Sequence, residues 1–324
     1  MTQSNSVPRG IGLLMLALLV FAVMDVLIKW TSSTYGTLQI VFFRSAFGLL
    51  PLMLLVARSG GFALLKTSRA GGHVARSLIG AGALVCFFYA FAHMPLADVY
   101  AIHFAGPLFL TALSGPMLGE QVGWKRWTAV AIGFVGVLIM LRPGAGVFQP
   151  IALVPLLGAL CYAVAMIFVR KLSRTETNAA IVFYFTMTGV GVGGLGMTAD
   201  WETPDLPGFL LLASIGILGG IAQILMTQAF RLAPASILAP FEYTAMVWAV
   251  VFGYLVFADL PTVPMMAGAL IVAGSGLYIL YRETRAGEAA ALRMSSRSRR
   301  PNSTSTWKAP PRPNWCEASP NATA

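Results

Sequence analysis

The chain has 324 residues, 57% of them hydrophobic and 10% charged, with a net charge of +10 and a mean hydropathy of +0.76. Soluble domains run at roughly 45–50% apolar and roughly 25% charged, and a soluble fold of this makeup would expose apolar patches that soluble monomers rarely carry. A polytopic membrane protein remains, and Cys86, Cys161 and Cys316 are too scattered for a disulfide framework or a zinc site.

Ten apolar stretches follow, each about the 20 residues that a bilayer core requires. They fall near 10–29, 37–57, 75–94, 97–118, 124–141, 150–169, 178–198, 208–229, 235–257 and 263–281. Continuous apolar runs favour helices over an alternating barrel pattern. The first follows a lone Arg9, as a signal peptide would, but it is too long for an h-region, holds Asp25 and lacks a cleavage site. It reads as a retained helix. The fourth contains Tyr100, His103, Pro107 and Pro116, and the ninth contains Pro240, Glu242, Tyr243 and Trp248; the prolines interrupt the backbone ladder. Residues 282–324 change character to Ser, Pro, Asn and Arg, with eight Lys or Arg against three Glu, and read as a disordered basic tail.

The basic residues set the orientation. Arg58, Lys66, Arg69, Lys125, Arg126, Arg170, Lys171, Arg174, Arg231 and the tail fall on one side. The other side holds Lys29 and Arg142 near helix ends and the acidic loop Asp200, Glu202, Asp205. Both termini are therefore expected in the cytoplasm, which ten spans allow. The tail's charge suits anionic headgroups, and without aromatic interleaving or a recognition helix no nucleic-acid partner is expected.

The second half echoes the first. At an offset of 141, Phe21-Ala22-Val23 aligns with Tyr162-Ala163-Val164, Lys29 with Arg170, and Ile40-Val41-Phe42 with Ile181-Val182-Phe183. At 139, Gly80 aligns with Gly219, Ala90-Phe91 with Ala229-Phe230, and His103 with Glu242. Five spans per unit is an odd number, so the second unit is expected upside down relative to the first. Inverted repeats are a signature of secondary transporters. The expected organisation is an all-α integral membrane fold of ten helices, N-in/C-in: a cytoplasmic N-terminus 1–9, repeats 10–142 and 150–282, and the tail 283–324.

The run Pro95-Leu96-Ala97-Asp98 to Pro107-Leu108-Phe109, then Leu118-Gly119-Glu120, Trp124-Lys125-Arg126-Trp127 and Gly133-Phe134-Val135-Gly136-Val137, resembles the drug/metabolite transporter superfamily, in particular the EamA-type carriers. A degenerate copy stands in Ala233-Pro234-Ala235-Ser236, Ala239-Pro240-Phe241-Glu242-Tyr243 and Ala258-Asp259. The resemblance covers about 10–282. It implies two inverted five-helix halves around a central cavity and the import or export of a metabolite. Asp25 with Lys29, Phe42-Phe43-Arg44, the Leu65–Arg69 loop and the Trp124–Trp127 cluster are similar to the bacterial subgroup with S-adenosylmethionine and riboflavin uptake carriers. That similarity implies the bacterial inner membrane.

An ionisable side chain at mid-membrane costs at least ~2.5 kcal/mol, so each one present invites a role. Asp25 and Lys29 are four residues apart on one helical face in the favourable acid-before-base order, and Arg44 lies at similar depth. The trio is expected as an outer gate network or as salt bridges that orient two helices. His103 and Glu242 occupy matched positions of the two halves, one polar group per half of a cavity, and Asp25 is expected to join them in lining it as a substrate-binding residue. Glu242 is the better candidate for substrate or proton contact, because a protonatable carboxylate suits proton coupling. Tyr89, Tyr100, Tyr243, Trp248 and Gln228 are candidates to stack on and hydrogen-bond a planar or heterocyclic solute. Gly115-x-x-x-Gly119, Gly189-x-x-x-Gly193 and Gly216-x-x-x-Gly220 are expected as close-packing surfaces.

Without H-E-x-x-H, G-x-S-x-G or Walker motifs, neither an intramembrane enzyme nor an ATP-driven pump is favoured, and no metal or cofactor is expected. The expected partners are a small-molecule solute, the bilayer, protons as coupling ion and a second copy in a homodimer.

Overall fold

The structure, a computed structural model, describes residues 6–119, 123–141, 150–233 and 235–298. The sequence expectations for Glu120, Arg142 and the tail beyond 298 lie outside those residues. Twelve α-helices run in chain order: α1 Ser6–Thr31, α2 Thr37–Ser59, α3 Ala70–His93, α4 Leu96–His103, α5 Gly106–Leu118, α6 Trp124–Leu141, α7 Leu153–Leu172, α8 Asn178–Gly196, α9 Leu206–Leu232, α10 Ala235–Glu242, α11 Thr244–Phe257 and α12 Val263–Ser298. Nine segments of the described residues are long and apolar enough to cross a bilayer, and Val263–Ile279 is a shorter apolar helix.

The fourth and ninth apolar stretches each divide in two. Pro107 cannot donate to the carbonyl of His103, and the chain passes through Phe104 and Ala105 before α5 restarts with proline in its first turn. In the ninth stretch the break falls at Tyr243, three residues after Pro240. Pro116, expected as a further interruption, sits inside α5 without ending it.

The described residues as far as Tyr281 form one compact unit, and those from Arg282 to Ser298 belong to a second. In the first, α1 packs on α9, α10 and α11, and α7 packs on α3, α4 and α5. α2 packs on α9 and α8, α3 on α8, and α4 on α11. Exchanging α1 with α7, α2 with α8, α3 with α9, α4 with α10 and α5 with α11 maps these neighbour pairs onto one another, except that α4 with α11 has no comparable counterpart in α10 with α5 among the described residues. The core of Leu14, Ile28, Ile40, Leu96, Ile102, Leu108, Leu212 and Ile215 is fully enclosed.

Glycines permit the closest approaches. A Cβ on Gly193 would meet the Phe42 backbone nitrogen at 2.6 Å, and one on Gly216 the Phe43 carbonyl at 2.8 Å. Both the Gly189–Gly193 and Gly216–Gly220 faces therefore lie against α2. The third motif is different: Gly119 has a φ of +71°, ends α5 by donating to the Gly115 carbonyl, and a Cβ there would meet nothing within 4 Å. It is a left-handed cap, which corrects the packing expectation for that position.

In the second unit the backbone is helical as far as Ser298, where composition predicted disorder from 283. The stretch Glu288-Ala-Ala-Ala-Leu-Arg293 is built from the strongest helix formers, which the Ser and Arg content around it obscured.

Candidate functional site

A cavity of about 390 Å³ lies between α2, α3, α8 and α9. Its walls include Ser59, Leu64, Thr177, Asn178 and Arg231 at helix ends, and Arg44, Gly48 and Gly219 at mid-helix. Those helix ends carry Arg58, Lys66, Arg69, Arg170, Lys171 and Arg174. Arg44 stands fifteen residues from the α2 terminus at Ser59, or about 22 Å at the helical rise. The cavity thus runs from the basic end of the bundle into its middle. Glycine keeps it open: a Cβ on Gly219 would meet Met24 Sδ at 2.9 Å and Arg44 Nε at 3.4 Å.

Three cations line this space. Arg44 and Arg76 have enclosed guanidinium nitrogens without a hydrogen-bond partner, and Arg231 is exposed near the mouth. The guanidinium carbon of Arg76 lies 4.2 Å from the Phe185 ring centre, a cation–π contact. Gln223 and Gln228 contribute amides from α9.

A second cluster forms where the broken helices meet. Asp25, 5% exposed, accepts a 2.5 Å hydrogen bond from the Tyr100 hydroxyl. The His103 ring is boxed by Phe87 at 4.8 Å, Tyr162 at 5.2 Å, Phe104 at 6.1 Å and Tyr100 at 6.5 Å. Glu242, the last residue of α10, is within electrostatic reach of the Tyr162 and Tyr243 hydroxyls. Tyr243 stacks on Phe104 at 4.6 Å and its hydroxyl is enclosed without a partner.

The opposite end of the bundle is closed by a different pair. Lys29 Nζ donates to Asp259 Oδ2 at 2.7 Å and to the Met94 carbonyl at 3.0 Å, and lies over the Phe257 ring. Close by, Gln39 Nε2 donates to the Glu202 carbonyl and Gln39 Oε1 accepts from the Glu202 amide. This ties the α8–α9 loop to α2. Tyr35 lies in the α1–α2 loop; burial, reinforced by neighbouring Asp205, raises its pKa.

At the basic end, Glu176 accepts from the Ser68 amide and hydroxyl and pairs with His73 Nε2 at 3.5 Å. Enclosure acts to raise the Glu176 pKa, but hydrogen bonds from Thr67, Ser68 and His73 outweigh it and hold the carboxyl below its ordinary value.

The expected trio of Asp25, Lys29 and Arg44 is not one network. The Asp25 carboxylate is taken by Tyr100, the longer Lys29 side chain reaches Asp259, and Arg44 lines the cavity while remaining in electrostatic reach of Asp25. Asp25, Tyr100, His103, Glu242 and Tyr243 belong to the central cluster, and Gln228 to the cavity. Tyr89 is 40% exposed and stacks on His93. Trp248 stacks on Phe252 with its Nε1 enclosed and unpartnered. Sequence reasoning missed Arg76 as a cavity residue, Asp259 as the partner of Lys29, and Tyr162 as the residue between Arg76 and Glu242.

The EamA-like transporter family matches residues 8–142 and again 149–281. An S-adenosylmethionine uptake transporter of Rickettsia bellii is 30% identical over 277 residues, covering 86% of this chain and 95% of that protein. The pseudopaline exporter CntI of Pseudomonas aeruginosa is 34% identical over 267 residues, covering 81% and 93%. A riboflavin transporter of Brucella anthropi is 29% identical over 273 residues, covering 82% and 95%. A solved crystal structure, 16% identical, superposes with a TM-score of 0.57 over 85% of this chain and 96% of the other, which shows a shared fold. These relatives carry the names of transporters and not of enzymes. The chain is a multi-pass membrane protein and belongs to the EamA-like transporter family.

Proposed function

We propose that this protein is a secondary carrier that moves a small organic metabolite across the bacterial inner membrane by alternating access. Ten spans form two inverted halves, and the basic end faces the cytoplasm under the positive-inside rule. The observation that carries this reading is the cavity that runs from the basic end to Arg44 while Lys29 and Asp259 bridge the far end. A cavity open on one side and tied shut on the other is what one half of a transport cycle requires. The exchange symmetry of the helix neighbours and the two successive family matches support the inverted-repeat architecture. Relatives matched over the same span carry both uptake and export names, and a reversible carrier takes its direction from the gradients imposed on it.

Glu242 is the coupling carboxylate in this reading, with Asp25, Tyr100, His103 and Tyr243 as the polar and aromatic groups around it, and the solute resembles S-adenosylmethionine, riboflavin or an amino acid in size and polarity. The test is flux into proteoliposomes with a panel of such metabolites, with and without a pH gradient. Saturable flux that responds to the gradient, with the response lost in Glu242→Gln, is the expected result. Flux that ignores the gradient, or a Glu242→Gln protein that keeps the response, overturns the proton-coupled form.

A further inference from the structure

We propose that Arg44 and Arg76 form an oxyanion subsite in the cavity and that its ligand is a carboxylate group of the transported solute. The proposal rests on the carrier reading above and adds the chemical class of the solute.

The charge lining the cavity has one sign. Arg44 comes from α2, Arg76 from α3 and Arg231 from α9, and no Asp or Glu is among the described lining residues. Arg44 and Arg76 are close enough to repel each other electrostatically. Asp25 is in electrostatic reach of Arg44, but its carboxylate accepts from Tyr100, and it forms no ion pair with Arg44 among the described residues. At the basic end, Glu176 is bound to His73 and Ser68.

Hydrogen bonding gives the same answer. Nε of Arg44 and both Nε and Nη1 of Arg76 are enclosed with no partner. An enclosed guanidinium without a counter-ion is strongly disfavoured, and at membrane depth an ionisable group marks a functional position. Two such groups facing one space offer converging N–H donors of the kind that bind an anion. Arg76 is also held in place: its guanidinium lies over Phe185, which itself packs against the surface left open by Gly80. A guanidinium stacked on a ring keeps its in-plane N–H fork for a planar acceptor, the geometry that suits a carboxylate. Arg231 at the mouth raises the local concentration of anions. Gln223 and Gln228 remain to contact the neutral part of the solute.

The experiment uses the full-length protein in detergent and follows its thermal unfolding with sodium citrate, its neutral trimethyl ester, sodium phosphate, and sodium chloride at matched ionic strength. Citrate is expected to raise the unfolding midpoint in a saturable way, the ester and chloride are not, and phosphate is expected to be weaker than citrate. Arg44→Gln and Arg76→Gln are each expected to weaken half-saturation by about tenfold or more. Gln223→Glu, which is nearly isosteric and seats a carboxylate in the cavity, should do the same without loss of fold. The proposal is overturned if citrate acts no better than chloride, if phosphate acts better than citrate, or if the citrate response survives all three substitutions. Citrate stabilisation without solute flux in proteoliposomes would remove the carrier reading and keep the subsite. Flux of solutes that lack an anionic group, unaffected by the arginine substitutions, would keep the carrier and remove the subsite.

Discussion

Lys29 and Asp259 stand 230 residues apart and meet at 2.7 Å, where the last turn of α1 approaches the end of α11. Lys29 makes a second bond to the Met94 carbonyl just past α3, so one ammonium ties three elements at the end opposite the cavity. Their side chains are 15% and 32% exposed, which leaves the pair only partly screened by water. In the alternating-access reading proposed above, a bond on one side of the bundle and a cavity on the other would bias the equilibrium between two transport states.

Breaking that bond is expected to open the far end. Lys29→Gln or Asp259→Asn should shift the equilibrium by about 1–1.5 kcal/mol, or roughly tenfold, toward the outward-facing state. Maleimide labelling of Met94→Cys, a buried position, from the outer side of right-side-out vesicles should speed up accordingly. The charge-swapped pair Lys29→Asp with Asp259→Lys should recover part of the slow labelling. Equal labelling rates in all backgrounds would mean that the pair holds no gate.

The Asp25–Tyr100 hydrogen bond should behave as a buried polar unit. Tyr100→Phe leaves the Asp25 carboxylate without its donor, and about 1–3 kcal/mol of stability should go with it. Asp25→Asn in the Tyr100→Phe background should recover much of the loss, because a neutral amide is cheaper to enclose than an unpaired carboxylate. Chemical unfolding of the four proteins of the double-mutant cycle measures this coupling, and additive effects would mean that the two side chains act independently.

Much of this was readable in advance, for reasons specific to each element. Apolar runs of bilayer length identify the spans, and the prolines at 107 and 240 point to the two stretches that break. Pairings between distant segments were not readable. Asp25 and Lys29 have the spacing of a helical ion pair, but helix spacing carries no information about Tyr100 or Asp259, which arrive from other elements. Arg76 was hidden by a boundary: the apolar pattern begins near 75, while α3 begins at Ala70. The first turn of α3, Ala70–His73, encloses His73 against Glu176 and Tyr184, and this sets Arg76 well inside the helix instead of at its edge.

Helix α8 offers a test of close packing with its own control. A Cβ on Gly193 would meet the Phe42 backbone at 2.6 Å, while one on Gly191 would meet nothing within 4 Å. Gly193→Ala should therefore destabilise by about 1–3 kcal/mol. Gly191→Ala should be neutral or stabilising by roughly 0.5–1 kcal/mol, since it removes only glycine's backbone freedom. Similar effects of the two substitutions would contradict the close approach of α2 and α8.

The Glu176 contacts predict an acid-sensitive stability. Its carboxyl titrates below the ordinary glutamate value in the folded protein, so the folded state favours the ionised form. That contribution is complete above the unfolded value and is lost as pH falls through the folded one. Thermal unfolding between pH 6 and 3 should show a larger fall for the wild type than for Glu176→Gln, with the difference confined to the acid side of about 4.5. A difference that instead appeared near neutrality would assign the effect to another group.

Alternating access itself is tested most directly by counterflow. Proteoliposomes preloaded with a large excess of unlabelled solute and diluted into a trace of the same labelled solute should accumulate label transiently above equilibrium. Each return of the binding site carries a solute molecule in exchange. That overshoot is expected, and so is its loss when the arginine-lined cavity is blocked by Gly219→Trp. A steady approach to equilibrium with no overshoot, at a rate linear in solute concentration, would identify a channel and contradict the account.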